Sequence, residues 1–303
     1  MNGKINNLIQ IAGIRRYTLT EGKEKGLDVL DCDNGKLRFL LNVGKSLDMM
    51  QLYHEGQNVS FVSKNGFTAR ELPFAKRFEG GMLYTCGLDS AGGREGFEIH
   101  GSLHNTPAKL IRAECNEEEI VVEAETSVSS LFGENLVLRR TVSSKVGSES
   151  VTINDVLENR GYREENYCFL YHCNVGYPML DEGVTVMGNV IRSEARTEWA
   201  REKEYEREVI TEPLAGQEET CYFLTFGKPE VEVTNRKIGK KLILSWSKET
   251  LPHFVEWKSM ASGDYALGIE PCTTELDDRF TYRTICPGEK IAFSLRLSVC
   301  KTE

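Results

Sequence analysis

Residues 27–41 read LDVLDCDNGKLRFLL, which is two strand-like runs joined by a polar turn. The runs 27–31 and 36–41 combine aliphatic and aromatic side chains with single charged residues, a pattern typical of a strand with one buried face. In the turn Asp33-Asn34-Gly35, the Asn-Gly pair supplies the positive φ angles that a tight hairpin requires. The stretch therefore predicts a β-hairpin.

Similar strand-like segments, bounded by Gly, Asn and Asp, recur along the whole chain. They are residues 50–54, 59–63, 119–126, 136–142, 151–159, 167–174, 221–226, 231–235, 241–246, 265–269 and 290–299. Many strands without a repeat of fixed length favour a sandwich or a barrel. Because no linker interrupts the pattern, we expect a single domain over residues 1–303.

Two segments depart from the strand pattern. Residues 193–209 hold few apolar side chains and no continuous 3.6-residue stripe, so we expect them to be irregular or extended rather than helical. Residues 80–101 are rich in glycine but keep their apolar residues, which predicts a packed loop of the kind that often carries function.

Composition limits the partners of this chain. Its 303 residues include 37 Lys and Arg against 46 Asp and Glu, a net charge of −9. Such a field repels nucleic acid and anionic membranes, so we expect neither as a partner. A small neutral ligand fits the charge balance better than a polyanion.

The redox state and the cellular location also have sequence signals. The first twenty residues lack the apolar core of a signal peptide, and no stretch is long enough to span a bilayer, so we expect a cytoplasmic protein. The nine cysteines include no C-x-x-C pair. This predicts reduced, mostly buried thiols rather than disulfides or a zinc site.

A histidine lies in one of the most apolar strands, Phe169-Leu-Tyr-His-Cys-Asn174. Strand alternation puts His172 and Asn174 on one face and the aromatic residues on the other, with both faces buried. A histidine in a semi-apolar setting can gain or lose a proton near neutral pH. Acid–base catalysis and a purely structural core histidine are both compatible with this pattern.

A carboxylate ends another apolar strand, Tyr265-Ala-Leu-Gly-Ile-Glu-Pro271. Glu270 shares its strand face with the small residues Gly268 and Ala266, which leaves room for a ligand. Burial would raise the pKa of this carboxylate and make it a usable base, and Pro271 restricts Glu270 to extended geometry. A structural carboxylate paired with an arginine or a backbone amide is the alternative.

Other patterns point less clearly to chemistry. His100 and His104 have the spacing of a helical metal pair, but Gly101, Asn105 and Pro107 break a helix there and no third ligand follows. We expect His100 in a loop with close backbone approach and His104 at the surface. No nucleophile elbow and no phosphate-binding loop is present.

Six motifs along the chain, taken in order, resemble a known family. They are GKSLDMM at 44–50, YHEG at 53–56, GGMLYTCGLD at 80–89, HGSLHNTPA at 100–108, LYHCNVGYPMLDEG at 170–183 and YALGIEPCT at 265–273. The set resembles the aldose 1-epimerase-related branch of the galactose mutarotase-like superfamily, known as DUF4432. The resemblance covers about the whole chain.

The resemblance implies a large twisted antiparallel β-sandwich whose concave face holds a hexose. In that family a histidine protonates the ring oxygen and a glutamate takes the anomeric proton, and these positions fall on His172 and Glu270. A histidine before glycine, here His100, contacts the sugar, as does an arginine from the first third of the chain, for which Arg77 is the candidate. Lys45 stands where an arginine is frequent in this branch.

Three further residues are expected at the sugar. Asn105 and Asn174 lie within the matching motifs, and Trp257 is a candidate stacking platform, although ordinary core packing is the commoner explanation for such a residue. The chemistry implied by the resemblance needs no metal or organic cofactor. Three functions stay open: a 1-epimerase, an acid–base enzyme acting on a keto-sugar, uronate or sugar phosphate, and a non-catalytic sugar-binding module.

Overall fold

The computed structural model describes residues 3–302, which form two antiparallel sheets. The smaller sheet has five strands in sequence order. They are β1 (Gly13–Thr18), β2 (Asp28–Asp33), β3 (Leu37–Asn42), β4 (Asp48–His54) and β5 (Gln57–Asn58). The predicted hairpin is confirmed, since β2 pairs with β3 and Gly35 between them has a φ of +89°.

The larger sheet has thirteen strands and contains the remainder of the β-structure. They are β6 (Tyr84–Leu88), β7 (Lys109–Cys115), β8 (Glu119–Ser129), β9 (Asn135–Lys145), β10 (Ser150–Asn159), β11 (Glu165–Val175), β12 (Thr185–Ala195), β13 (Thr220–Asn235), β14 (Lys240–Trp246), β15 (His253–Ala261), β16 (Asp264–Cys272), β17 (Arg283–Ile285) and β18 (Lys290–Lys301). The strand order is β17-β11-β16-β15-β13-β14-β18-β10-β9-β8-β7, with β6 beside β11 and β12 beside β13.

Helical structure is limited to short segments. The α-helices are α1 (Phe74–Arg77) and α2 (Glu198–Glu202). The 3-10 turns are Leu8–Gln10, Gly22–Glu24, Leu103–Asn105, Glu204–Glu206 and Asp277–Arg279. The prediction of an all-β fold is therefore confirmed, and no helix within residues 3–302 is long and apolar enough to cross a membrane.

Three local predictions were wrong. Residues 59–63 form only isolated bridges, Ser60 with Val175 and Val62 with Gly80. The segment 193–209 turns helical after β12, because the Thr197 hydroxyl accepts the Ala200 N–H and caps α2. The glycine-rich stretch is not all loop, since its residues 84–88 form β6 and pair with β11.

Side chains alternate across β11 as predicted. Phe169, Tyr171 and Cys173 belong to the main core, where Phe169 stacks on Phe293 with ring centroids 4.3 Å apart. Leu170 lies on the opposite face, in a second apolar cluster that also contains buried cysteines. All nine cysteines are free and six are buried, in agreement with the prediction of free, mostly buried cysteines.

Candidate active site

The strands β11 and β16 bring the two predicted catalytic residues face to face. Leu170 pairs with Cys272 in an antiparallel register, so His172, two residues further along β11, lies opposite Glu270. The imidazole Nε2 is 3.3 Å from the carboxylate Oε1. Both side chains are buried, with exposures of 5% and 1%.

A glycine makes room for this contact. A Cβ at Gly268 would lie 2.3 Å from Oε1 of Glu270 and 3.2 Å from Cε1 of His172. Only a residue without a side chain therefore permits the imidazole and the carboxylate to meet here. Among the described residues, His172 Nδ1 and Glu270 Oε1 are buried side-chain atoms without a hydrogen-bond partner.

The surroundings move the pKa values of the pair in opposite directions. Burial raises the pKa of Glu270 well above its usual value, the charge of Glu219 raises it further, and Arg196 partly opposes this rise. Burial lowers the pKa of His172 well below its usual value, and His100 adds to that effect. Both shifts favour the neutral form of the group concerned.

His100 completes the polar part of the site. Its backbone has a φ of +65°, and its Nδ1 accepts the Gly92 N–H at 3.2 Å. Burial, aided by Arg196, lowers the pKa of His100 to about 4, so the ring is neutral at pH 7 and its proton lies on Nε2. His100 is thus a hydrogen-bond donor beside His172, with the ring centroids 5.2 Å apart.

These groups line a pocket of about 530 Å³ with aromatic walls. The Trp257 ring lies 5.9 Å from the His172 ring, and the Phe78 ring lies 5.7 Å from it on another side. The Trp257 indole N–H donates to Glu219 Oε2 at 2.7 Å, which fixes the indole plane. Aromatic faces beside polar groups are typical of small-ligand sites.

The sequence-predicted residues divide into two groups. His172, Glu270, His100 and Trp257 line the pocket, whereas the other three do not. Asn174 lies behind His172 and donates from Nδ2 to its backbone carbonyl at 3.0 Å.

The remaining two predicted residues, Arg77 and Asn105, are held by charged partners outside the pocket. Arg77, at the end of α1, pairs with Glu98 at 2.8 Å. Asn105 accepts a hydrogen bond at 2.6 Å from Lys45, the residue that replaces the frequent arginine.

The sequence analysis missed several pocket residues. Arg196 lines the pocket and donates from Nε to Asp277 at 2.6 Å. Phe78 and Glu219 also line the pocket, and neither belongs to a strand. One available signal was Thr197, whose hydroxyl caps the short helix that begins just after Arg196.

His104 is buried, contrary to the prediction that it lies at the surface. Its Nδ1 is 2.6 Å from Asp48 and its Nε2 is 3.2 Å from Glu79. Burial opposes protonation, but these two carboxylates outweigh it and raise the pKa of His104. The ring stacks on Tyr84 with centroids 3.6 Å apart, and Tyr84 in turn packs against the pocket residue Phe78.

The same ionic network reaches Arg140, whose guanidinium is almost fully buried. It binds Asp155 through Nε and Nη2 at 2.9 and 2.7 Å and also contacts Asp48. The Tyr171 hydroxyl donates to the same Asp155 at 2.8 Å. These contacts join β4 of the small sheet to β9, β10 and β11 of the large one. No group of three or more His, Cys, Asp or Glu side chains within residues 3–302 is arranged to hold a metal ion.

Comparisons with known proteins agree with this architecture. A family model described as a domain of unknown function, DUF4432, matches residues 24–299. A solved structure of a "putative aldose 1-epimerase" from Klebsiella pneumoniae has a TM-score of 0.85 at 20% identity, over 95% of this chain and 83% of that chain. No curated protein is significantly similar in sequence.

Two further solved structures share the fold at lower similarity. A galactose mutarotase-like protein from Clostridium acetobutylicum has a TM-score of 0.68 at 12% identity, over 97% of this chain and 100% of that chain. The galactose 1-epimerase from Lactobacillus acidophilus has a TM-score of 0.65 at 11% identity, over 96% and 100%. The antiparallel, galactose mutarotase-like fold predicted from the sequence is confirmed.

Proposed function

The chain belongs to the DUF4432 family, and from that premise we propose that it is an isomerase of the aldose 1-epimerase kind. It would interconvert the anomers of a sugar by opening and closing the ring. The observation that carries this proposal is the contact of His172 Nε2 with Glu270 Oε1 at 3.3 Å, buried in an aromatic pocket. A proton donor and a proton acceptor on adjacent strands are what ring opening needs.

The proposed reaction starts with the shared proton on His172. Glu270 takes the proton of the anomeric hydroxyl while His172 protonates the ring oxygen O5. The C1–O5 bond breaks and C1=O1 forms, which yields the open aldehyde. Rotation about C1–C2 then presents the opposite face of the carbonyl to O5.

Ring closure reverses the proton movements. The O5 hydroxyl attacks C1 and returns its proton to His172, while Glu270 gives its proton back to O1. The pair ends with the proton distribution with which it began, so no external base or acid is consumed. The opposed pKa shifts support this scheme, because a raised pKa of Glu270 and a lowered pKa of His172 oppose the ordinary preference of a proton for histidine over glutamate.

The other pocket groups are assigned supporting roles. His100 would donate from Nε2 to a sugar hydroxyl, and Trp257 would stack on the apolar face of the ring. Asn174 is proposed to act through the backbone of His172, which it holds. Neither Arg77 nor Asn105 lines the pocket. Their direct contact with the sugar stays a prediction.

The test is anomer exchange, followed by NMR over a panel of aldoses, ketoses and uronates. Glu270→Gln removes the base while keeping the shape of the side chain, and we expect exchange to fall by about 10²–10⁴-fold. His253→Asn, a histidine outside the pocket, is the matched control. If Glu270→Gln keeps full activity, the mechanism is wrong. Sugar binding without any exchange would instead favour a binding module.

A further inference from the structure

The pocket is larger than a single sugar ring requires. Its volume is about 530 Å³. A hexose has twelve non-hydrogen atoms, and each takes less space than a water molecule in the liquid, so the sugar fills at most about 360 Å³. More than a quarter of the pocket would stay empty with one hexose at the catalytic pair.

Lining residues of the pocket continue along β15 and β16, away from Glu270. Asp264 also lines the pocket and lies six residues before Glu270 on the same strand, which is about 20 Å of extended chain. Ser259 lies between these ends, on β15 opposite Ala266. The pocket thus runs from the catalytic pair past Trp257 and Ser259 to Asp264.

Ser259 is the most informative residue in this extension. Its exposure is 7% and it lines the pocket, so a ligand in the extension would lie against it. A serine hydroxyl can donate one hydrogen bond and accept others. Ser259 can therefore bond to a ligand hydroxyl that occupies the space before it.

The far end of the pocket is polar but balanced in charge. Lys64 Nζ binds Asp264 Oδ2 at 2.7 Å, and both line the pocket together with Asn65. An anionic group would have to displace Asp264 from Lys64. An uncharged, hydroxyl-rich group can instead accept from the ammonium and donate to the carboxylate while leaving the ion pair in place.

We propose that Ser259, Lys64, Asn65 and Asp264 form a second sugar subsite, and that the preferred substrate is a reducing disaccharide. This rests on the proposed function, because the reducing ring must place C1 at Glu270. Position C4 lies across the pyranose ring from C1, so a 1→4-linked second residue projects away from Glu270 along the extension. Its hydroxyls then meet Ser259 and the Lys64–Asp264 pair.

The experiment compares anomer exchange of maltose, cellobiose, glucose and glucose 6-phosphate. We expect wild type to have a higher kcat/KM for at least one disaccharide than for glucose. Ser259→Leu fills the subsite and removes the hydroxyl, and we expect it to lower the disaccharide-to-glucose ratio of kcat/KM about tenfold. Ser259→Ala removes only the hydroxyl, and it replaces Ser259→Leu in the test if the leucine variant does not fold.

Ser262→Leu, at the exposed turn after β15, is the matched control and should leave the ratio unchanged. Any of three results would overturn the proposed subsite. They are a preference of wild type for glucose over both disaccharides, a preference of wild type for glucose 6-phosphate, and a wild-type ratio of kcat/KM in the Ser259 variants. If no sugar is exchanged, the proposed function fails on its own. Binding measured by calorimetry then tests the subsite independently of activity. The subsite requires that wild type bind a disaccharide more tightly than glucose and that Ser259→Leu lose this difference.

Discussion

Gly268→Ala adds one methyl group next to the proposed catalytic pair and tests how closely that pair must be positioned. The new Cβ would lie 2.3 Å from Oε1 of Glu270, whereas ordinary contacts begin near 3.4 Å. The carboxylate must therefore retreat by about 1 Å and leave its contact with His172. A displacement of this size lowers the rate by about 100-fold.

The same substitution should leave the fold intact. Gly268 has no positive φ, so alanine suits its backbone, and the loss of glycine flexibility in the unfolded chain stabilises by about 0.4–1 kcal/mol. The displaced atom is the end of a side chain that borders a pocket, which gives it space to move. We therefore expect kcat/KM for anomer exchange to fall about 100-fold with little change in Tm.

Gly188→Ala on β12 is the matched control. Its Cβ would lie 2.4 Å from the Phe226 ring and 3.0 Å from the Glu230 carbonyl, so it should lower Tm while the folded fraction keeps its activity. NMR exchange and thermal unfolding separate the two effects. Wild-type kcat/KM in folded Gly268→Ala would refute the reasoning that the pair acts through its geometry.

Two further predictions concern buried charge. Arg140→Met leaves Asp48 and Asp155 buried without their cation and should lower the free energy of unfolding by about 3–5 kcal/mol. Arg139→Met, at the exposed neighbouring residue, should change the free energy of unfolding by less than about 0.5 kcal/mol. Equal urea midpoints for the two variants would contradict this prediction. The pKa of His100 is about 4 in the folded protein and about 6.5 in the unfolded chain. Because the unfolded chain therefore binds the proton more readily, His100 lowers the free energy of unfolding on the order of 3 kcal/mol as the pH falls from 6.5 to 4. Urea unfolding at both pH values should show a smaller loss of stability in His100→Gln than in wild type. An identical loss in the two proteins would contradict the prediction.

Much of the β-structure was predictable because its signals are local. The Asn34-Gly35 turn specifies its hairpin through backbone conformations that few other residues adopt. The alternation in β11 likewise needs no distant information, since successive strand residues point to opposite faces whatever packs on them. The candidacy of His172 and Glu270 followed from the same local pattern together with the family motifs.

The errors came from residues whose surroundings are set by distant parts of the chain. His104 looked like a surface residue because its partners Asp48 and Glu79 belong to other segments. The charged segment 198–206 has no apolar stripe, yet Tyr222 from β13 donates to the Ala200 carbonyl and packs that helix in place. Tertiary contacts outweigh weak local propensities in such cases.

The sequence by itself determined that this chain is a β-protein, and it pointed to a buried histidine and a buried glutamate as an acid–base pair. Only the tertiary structure decided that the two are 3.3 Å apart, that Gly268 makes the space between them, and that Glu219 and Arg196 adjust the pKa of Glu270. The reason is physical. Alternation within a strand depends on neighbours in sequence, whereas the register of β11 against β16 and the charges around the pocket result from pairings along the entire sheet.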